Sequence, residues 1–204
     1  MAAKDFEARL QTVEDTLAID RLEKIYGYYL CNRDTNNIID LFSENTESIE
    51  IGDHGVFKGK EGVKRYFFEG LGETGQPGLP PGGMRFHMQH QGVVTIDPGN
   101  STAKGRWYLV MIMARPARKG GPVKSILGHG VYENEFIKED GVWKFKKVHC
   151  SMHYCSPIGE GWTEIANIHE EGSLPGRDAD PTFHHPYPDL QILPYHFKNP
   201  VTGK

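Results

Sequence analysis

Cysteine, long apolar runs and basic clusters are all scarce in this sequence. Its 204 residues include three cysteines, none in a CxxC pair, and such sparse usage is typical of a reducing compartment. No apolar run approaches the roughly 18 residues of a transmembrane helix, and the charged start MAAKDFEARL is unlike a signal peptide. We therefore expect a soluble cytoplasmic protein that does not act at a membrane. A net charge of −4 without a basic stripe argues against nucleic acid as a partner.

Metal-binding motifs are also missing. Ten histidines are many for this length, yet they form no HExxH motif and no histidine–cysteine cluster. We expect neither a metal ion nor a cofactor.

The first part of the chain has helical periodicity. Apolar residues from Leu22 to Tyr29 recur at the i, i+3, i+4, i+7 spacing, which predicts a helix over about 4–32. Asp34 is the expected N-cap of a second, short helix, because its carboxylate can accept a hydrogen bond from a first-turn N–H. A strand pair over 48–58 and a third helix over 61–71 are predicted to follow.

Strand patterns dominate the middle of the chain. Residues 86–109 read FHMQHQGVVTIDPGNSTAKGRWYL, two β-rich runs around a turn, which predicts a hairpin. Side-chain alternation places His87 on one face of the strand and Met88 and His90 on the other. Gly92 marks a bulge. Further strands are expected over 124–138 and 141–154. A Gly/Pro-rich loop over 72–83 is long enough for a lid or binding loop.

These elements predict an α+β fold in which a cone-shaped, curved antiparallel sheet and three N-terminal helices enclose a pocket. We assign 1–155 to this domain. Residues 156–204 are rich in Pro, His and aromatics without a sustained period. We expect them to form an ordered C-terminal arm that wraps the domain or a neighbouring subunit.

The inside of the curved sheet is the expected site. Alternation in the second hairpin strand gives one face Ala103, Gly105, Trp107, Leu109 and Met111. A histidine beside such a hollow can serve as a general base, which makes His87 the first candidate. The alternative is a core histidine bonded to a backbone carbonyl.

Four segments carry a resemblance to a known superfamily. AIDRLEKIYGYYLCNRD resembles its first long helix, FHMQHQGVVTID and TAKGRWYL its central hairpin, and HGVYENEFIKEDGVWKF its last strand pair. The superfamily is the nuclear transport factor 2-like (SnoaL-like) group, and more closely its bile-acid 7α-dehydratase and scytalone dehydratase branch. The resemblance covers about 17–154 and implies the cone fold and, by analogy, a homo-oligomer.

The resemblance also implies roles for individual residues. The branch's catalytic tyrosine falls on Tyr26 and its catalytic histidine on His87. Two carboxylates of the bile-acid enzyme fall on Cys31 and Met111, which leaves the base more neutral and the pocket more apolar. Such a pocket suits a neutral aromatic substrate better than a cationic one.

Further candidates come from the same pattern. Trp143, Phe145, Lys147 and His149 alternate onto one face, so Lys147 and His149 are expected either to assist catalysis at the pocket mouth or to form a solvated strand end. Arg85, Arg106 and Arg115 are candidates to bind a carboxylate. Alternation places Arg106 on the face away from Trp107, where we expect a surface or dimer-face charge. The expected substrate-binding residues are Tyr29, Cys31, Trp107, Leu109, Met111, His129 and Asn134.

The function implied is a cofactor-independent lyase that eliminates formaldehyde or water from a hydrophobic aromatic small molecule. The ending PYHFKNPVTG resembles bacterial catabolic proteins for lignin-derived aromatics, including the diarylpropane γ-formaldehyde lyases. The most specific expectation is therefore deformylation of a lignin-derived diaryl diol to a stilbene. Two alternatives stay open: a dehydratase or isomerase of a steroid or polyketide, and a non-catalytic module that binds a small ligand.

Overall fold

Helices occupy the first third of the chain and long strands the middle. The structure, a computed structural model, describes residues 3–99, 101–116, 122–165 and 172–204. The helices are α1 (Ala3–Asn32), α2 (Thr35–Asp40) and α3 (Gly59–Arg65), and a π-helical turn at Tyr66–Gly70 extends α3. The strands are β1 (Ser48–Ile51), β2 (Val56–Lys58), β3 (Met84–Ile96), β4 (Thr102–Arg115), β5 (Lys124–Glu139) and β6 (Val142–Pro157).

Helix α1 forms where the sequence predicted it, and its buried stripe faces the sheet. Ile19, Leu22, Tyr26 and Leu30 are all buried at helical spacing. Asp34 stands at the N-cap of α2 as expected, but its carboxylate accepts a hydrogen bond from the Asn37 side chain at 2.7 Å and caps no N–H. None of the helices in the described part of the chain is both long and apolar enough to cross a membrane.

The sheet has six strands in the order β2-β1-β6-β5-β4-β3. Neighbours are antiparallel except β1 and β6, which run parallel. We call the face that packs against α1 the inner face and the opposite one the outer face. The predicted α+β fold, with three N-terminal helices on one face of a curved sheet, is confirmed.

Two of the three bulges in the described strands decide the faces of the predicted site residues. The first separates the pairs made by His90 and Val93, and Gln91 there has a φ of 55°. It confirms the bulge predicted at Gly92, where a Cβ would lie 2.2 Å from the Trp107 Nε1 atom. The second bulge inserts an extra residue in β6, because Glu135 pairs with Lys147 while Phe136 pairs with Phe145.

The second bulge overturns one expectation. Phe145 lies on the inner face, where its ring is 5.2 Å from that of Tyr26. After the bulge the alternation is reversed, so Lys147 and His149 lie on the outer face. The prediction that these residues share the face of Trp143 and Phe145 is wrong.

Residues 172–204 pack along β2 and over the outer face of the chain's own sheet. Ala179 forms a bridge with Val56. Glu50, buried on β1, accepts hydrogen bonds from the Thr182 N–H (2.6 Å), the Thr182 hydroxyl (2.7 Å) and the Phe183 N–H (3.3 Å). Further along, Arg106 donates to the carbonyls of Leu193 (3.0 Å) and Pro194 (3.1 Å) and pairs with Glu133 at 2.6 Å. Buried polar groups on the outer face thus bind this arm.

Candidate functional site

A cavity of about 860 Å³ lies between the inner face of the sheet and the helices. Its walls are contributed by α1, by the π-helical turn after α3, by the inner residues of β3 to β6 and by the loop 72–83. The segment that follows residue 171 also contributes, since Leu174 lines the cavity. Of the expected site residues, Tyr26, His87, Leu109 and Met111 line it.

His87 reaches the cavity because it alternates inward on β3, opposite Met111 of β4. Its backbone N–H donates to the Cys31 sulfur at 3.2 Å, so Cys31 contacts the backbone of β3. The ring Nδ1 atom is sealed from solvent and has no hydrogen-bond partner among the described residues. Burial, and secondarily the charge of Arg85, lowers the pKa of His87 to about 3, so the imidazole is neutral at neutral pH.

Tyr26 reaches the cavity from α1, with its ring held edge-on among aromatic neighbours. Its ring centroid lies 5.2 Å from Phe145, 6.3 Å from Tyr132 and 6.5 Å from Phe42. Burial raises the pKa of Tyr26 well above its usual value of 10. The phenol is therefore protonated and can donate a hydrogen bond or a proton into the cavity.

Beneath Tyr26 lies a buried carboxyl that sequence reasoning missed. Glu23 is fully buried on α1 and accepts a hydrogen bond from Asn134 Nδ2 at 3.0 Å. Burial raises its pKa to about 8, so it is mostly protonated at neutral pH. The carbonyl oxygen of Asn134 accepts from the His149 N–H at 3.0 Å, next to the bulge in β6. Asn134 therefore ties helix to sheet and does not line the cavity.

The remaining candidates lie away from the cavity. Trp107 is buried in the core against Phe136, and Tyr29 packs at the core margin. His129 is on the outer face, where its Nδ1 atom is 2.9 Å from that of His153. Lys147 and His149 are also on that face, and His149 Nε2 is 3.6 Å from a Glu50 oxygen.

The cavity residues that were not predicted include a hydrogen-bonded pair, His54 and Tyr66. His54 Nδ1 and the Tyr66 hydroxyl are 3.0 Å apart, both residues are buried, and both line the cavity. They come from the β1–β2 turn and from the π-helical turn, so no sequence spacing joins them. The aromatic run Tyr66–Phe67–Phe68 was a signal for packing only.

Charged residues form one wall of the cavity, next to His87. Glu73 is buried, and its carboxylate pairs with Arg33 Nε and, at 3.3 Å, with Arg85 Nη1. All three residues line the cavity. Among residues 3–99, 101–116, 122–165 and 172–204, no three His, Cys, Asp or Glu side chains are grouped so as to hold a metal ion.

Comparison with known proteins gives a family and a set of similar structures. The model of the SnoaL-like domain matches residues 11–149. A type 2 hexachlorocyclohexane dehydrochlorinase (LinA) is 22% identical with a TM-score of 0.59, over 74% of this chain and 93% of that one. A Novosphingobium aromaticivorans protein with a provisional scytalone dehydratase name is 20% identical with a TM-score of 0.57, over 74% and 97%.

A third similar structure is the LinA type 3 dehydrochlorinase from Novosphingobium barchaimii LL02, 19% identical with a TM-score of 0.57 over 74% of this chain and 94% of that one. At these sequence identities, the structural similarity establishes the fold. No curated protein sequence matches the chain significantly.

Proposed function

The chain belongs to the SnoaL-like family, and on this premise we propose that it is a cofactor-independent lyase acting on a hydrophobic, aromatic small molecule. The observation that carries the proposal is that a neutral imidazole and a protonated phenol, His87 and Tyr26, line one cavity of about 860 Å³. A base and an acid in one partly apolar space are what an elimination needs.

The proposed roles use these protonation states, in which His87 is free to accept a proton but is a weaker base than an exposed imidazole. Neutral His87 takes a proton from the substrate, and Tyr26 hydrogen-bonds the oxygen that leaves. Leu109 and Met111 form apolar wall on β4, which suits aromatic rings. Dehydrochlorinase and dehydratase, the names of the similar structures, are both elimination activities, the reaction class proposed here.

The most specific form of the proposal is deformylation of a lignin-derived diaryl diol. His87 removes the proton of the primary hydroxyl, the adjacent C–C bond breaks, and formaldehyde departs. The electron pair of that bond forms the new C=C bond while the benzylic hydroxyl leaves with a proton from Tyr26 as water. The products are a stilbene, formaldehyde and water, and the proton on His87 returns to Tyr26 through solvent.

A second candidate is a dehydratase or isomerase of a steroid or polyketide. It requires carboxylates near the base, and Asp53 and Glu73 do line the cavity although Cys31 and Met111 replace the family acids. Of these, Glu73 lies on the wall next to His87, and it is paired with Arg33 and Arg85.

A turnover screen with mass spectrometry tests the proposal. Purified protein with chelator and no added cofactor is incubated with phenolic lignin dimers and, separately, with hydroxylated steroids. We expect loss of formaldehyde and water from the dimers. Loss of water or a double-bond shift in the steroids would favour the second candidate. If neither substrate class is converted but ligand binding is retained, both enzyme proposals would give way to a non-catalytic binding module.

We also propose that the protein is a homo-oligomer. The outer face of β3 and β4 exposes Met84, Phe86, Met88 and Tyr108, each between 36% and 48% exposed, which is a contiguous apolar strip. Light scattering tests this, and Phe86→Glu is expected to dissociate the oligomer while Val142→Glu leaves it intact. A monomeric wild-type protein would contradict it.

A further inference from the structure

The charged wall beside His87 has more positive than negative charge. Glu73 is the single carboxylate between Arg33 and Arg85, and its side chain is only 3% exposed. A pair of guanidinium groups against one carboxylate leaves an excess charge of one. Uncompensated charge at a partly buried site is costly, so such a wall favours an anion.

The excess charge lies within the proposed active site. Arg85 precedes His87 by two residues on β3, so both alternate inward, with about 7 Å between their Cα atoms. At this spacing the charge of Arg85 adds to the effect of burial in lowering the pKa of His87. One hydrogen bond, to Glu73, occupies Arg85 within the described residues, and a guanidinium has five N–H donors.

The other charged residues of the lining belong to other elements. Glu69 is exposed on the π-helical turn, and Asp53 belongs to the turn between β1 and β2. Arg115, at the end of β4, adds a further positive charge to the lining.

We propose that the wall formed by Arg33, Arg85 and Glu73 is a binding site for an anionic oxygen on the aromatic substrate, either a phenolate or a ring carboxylate. The inference rests on the proposed function for the use of the cavity, and it narrows the substrate class to aromatic anions or acidic phenols. Arg85 binds the oxygen directly, while Glu73 holds both guanidinium groups in place.

The test measures binding, with no need for turnover. The probes are 4-nitrophenol, whose absorbance separates the phenol from the phenolate, 4-nitrobenzoate, and the neutral 4-nitrobenzyl alcohol. We expect bound 4-nitrophenol to have a pKa at least about one unit below that in water, or 4-nitrobenzoate to bind about tenfold tighter than the alcohol. The first result assigns the site to phenolates and the second to carboxylates.

Two substitutions with opposite expected effects separate binding from a structural role. Arg85→Gln removes the excess charge and is expected to weaken anion binding about tenfold. If the Arg85→Gln protein does not fold, Arg33→Gln serves as the second variant. Glu73→Gln increases the excess charge and is expected to tighten anion binding. Neither should alter binding of the alcohol, and Arg21→Gln, an exposed change on α1, should alter nothing.

Equal binding of anions and alcohol by the wild-type protein would overturn the proposal, as would weaker anion binding in both charge variants. Because these readouts do not depend on turnover, the anion site can fail while the lyase stands. An inactive protein that still binds anions through Arg85 would overturn the lyase and keep the anion site.

Discussion

The two faces of the sheet each bury a glutamate, and they treat it differently. Glu50, beneath the arm on the outer face, accepts three hydrogen bonds from Thr182 and Phe183. Glu23, on the inner side, accepts one bond, and its Oε1 atom is buried without a partner among the described residues. The outer carboxylate fixes a segment of chain, whereas the inner one avoids its desolvation penalty by holding a proton.

His196 and His87 differ in a similar way. His196 on the outer side pairs with Glu133, which in turn pairs with Arg106. The ring of His87 has no such partner in the part of the chain that the structure describes, and it faces open volume. Buried polar groups that have hydrogen-bond partners stabilise the fold. Those that line a cavity without a partner are candidates for binding or catalysis.

The largest expected effect is on the inner face. His87→Ala is expected to lower kcat/KM about a thousandfold, because it removes the general base without cutting a strand hydrogen bond. His90→Ala, an exposed histidine on the other face of β3, is the matched control and should retain activity. Equal activity of the two variants would remove His87 from the mechanism.

On the outer face the expected effect is on stability. Glu50→Ala deletes a buried carboxylate that three donors need, and we expect the free energy of unfolding to fall by about 3 kcal/mol. Urea denaturation measures the loss, and limited proteolysis reports whether the arm detaches. The control is Glu160→Ala, an exposed site. An unchanged midpoint would mean that the arm does not depend on Glu50.

A smaller loss is expected from Tyr26→Phe. The ring still fills its place among Phe42, Phe145 and Tyr132, but the donor to the leaving oxygen is gone, so kcat should fall about a hundredfold. Tyr28→Phe, on the solvent side of α1, serves as control. A fall in thermal stability equal to the fall in activity would assign Tyr26 to packing instead.

The last expected effect is a gradual one, on the pH dependence of stability. Glu23 has a folded pKa of about 8 against an ordinary 4.5, so between these values the folded state holds a proton that the unfolded state has lost. Its contribution is complete below about pH 4.5, and stability falls by up to about 1.4 kcal/mol per pH unit as pH rises toward 8. Glu23→Gln cannot ionise and should remove this slope. Parallel stability curves for variant and wild type would show that Glu23 is ionised throughout.

Local signals predicted the helices, the hairpin and the bulge at Gly92. They failed at the bulge between Phe145 and Lys147. Gly92 marks the first bulge in the sequence, because glycine is the residue that a strand uses where another side chain approaches closely. At the second bulge the sequence is Lys146-Lys147, which has no such signal, so the faces of Lys147 and His149 were inverted. A one-residue insertion reverses every later side chain of a strand.

The sequence predicted a site residue only where the periodicity of a single helix or strand placed that residue. Tyr26 and His87 follow from helical and strand periodicity together with the family resemblance, and their catalytic roles remain predictions. The pair His54 and Tyr66 and the wall of Arg33, Arg85 and Glu73 join distant segments, for which a single sequence offers no spacing. The partition at residue 155 also remains a prediction.

Leu174, which lies beyond the proposed boundary at residue 155, is part of the cavity wall. It lies beyond residues 11–149, the part of the chain that the SnoaL-like model matches, yet it lines the cavity, and its N–H donates to the His54 carbonyl at 2.9 Å. A protein trimmed to residues 11–149 would keep Tyr26 and His87 but lose part of the wall of the cavity that they line. A substitution at Leu174 would therefore change the wall of the cavity without altering Tyr26 or His87.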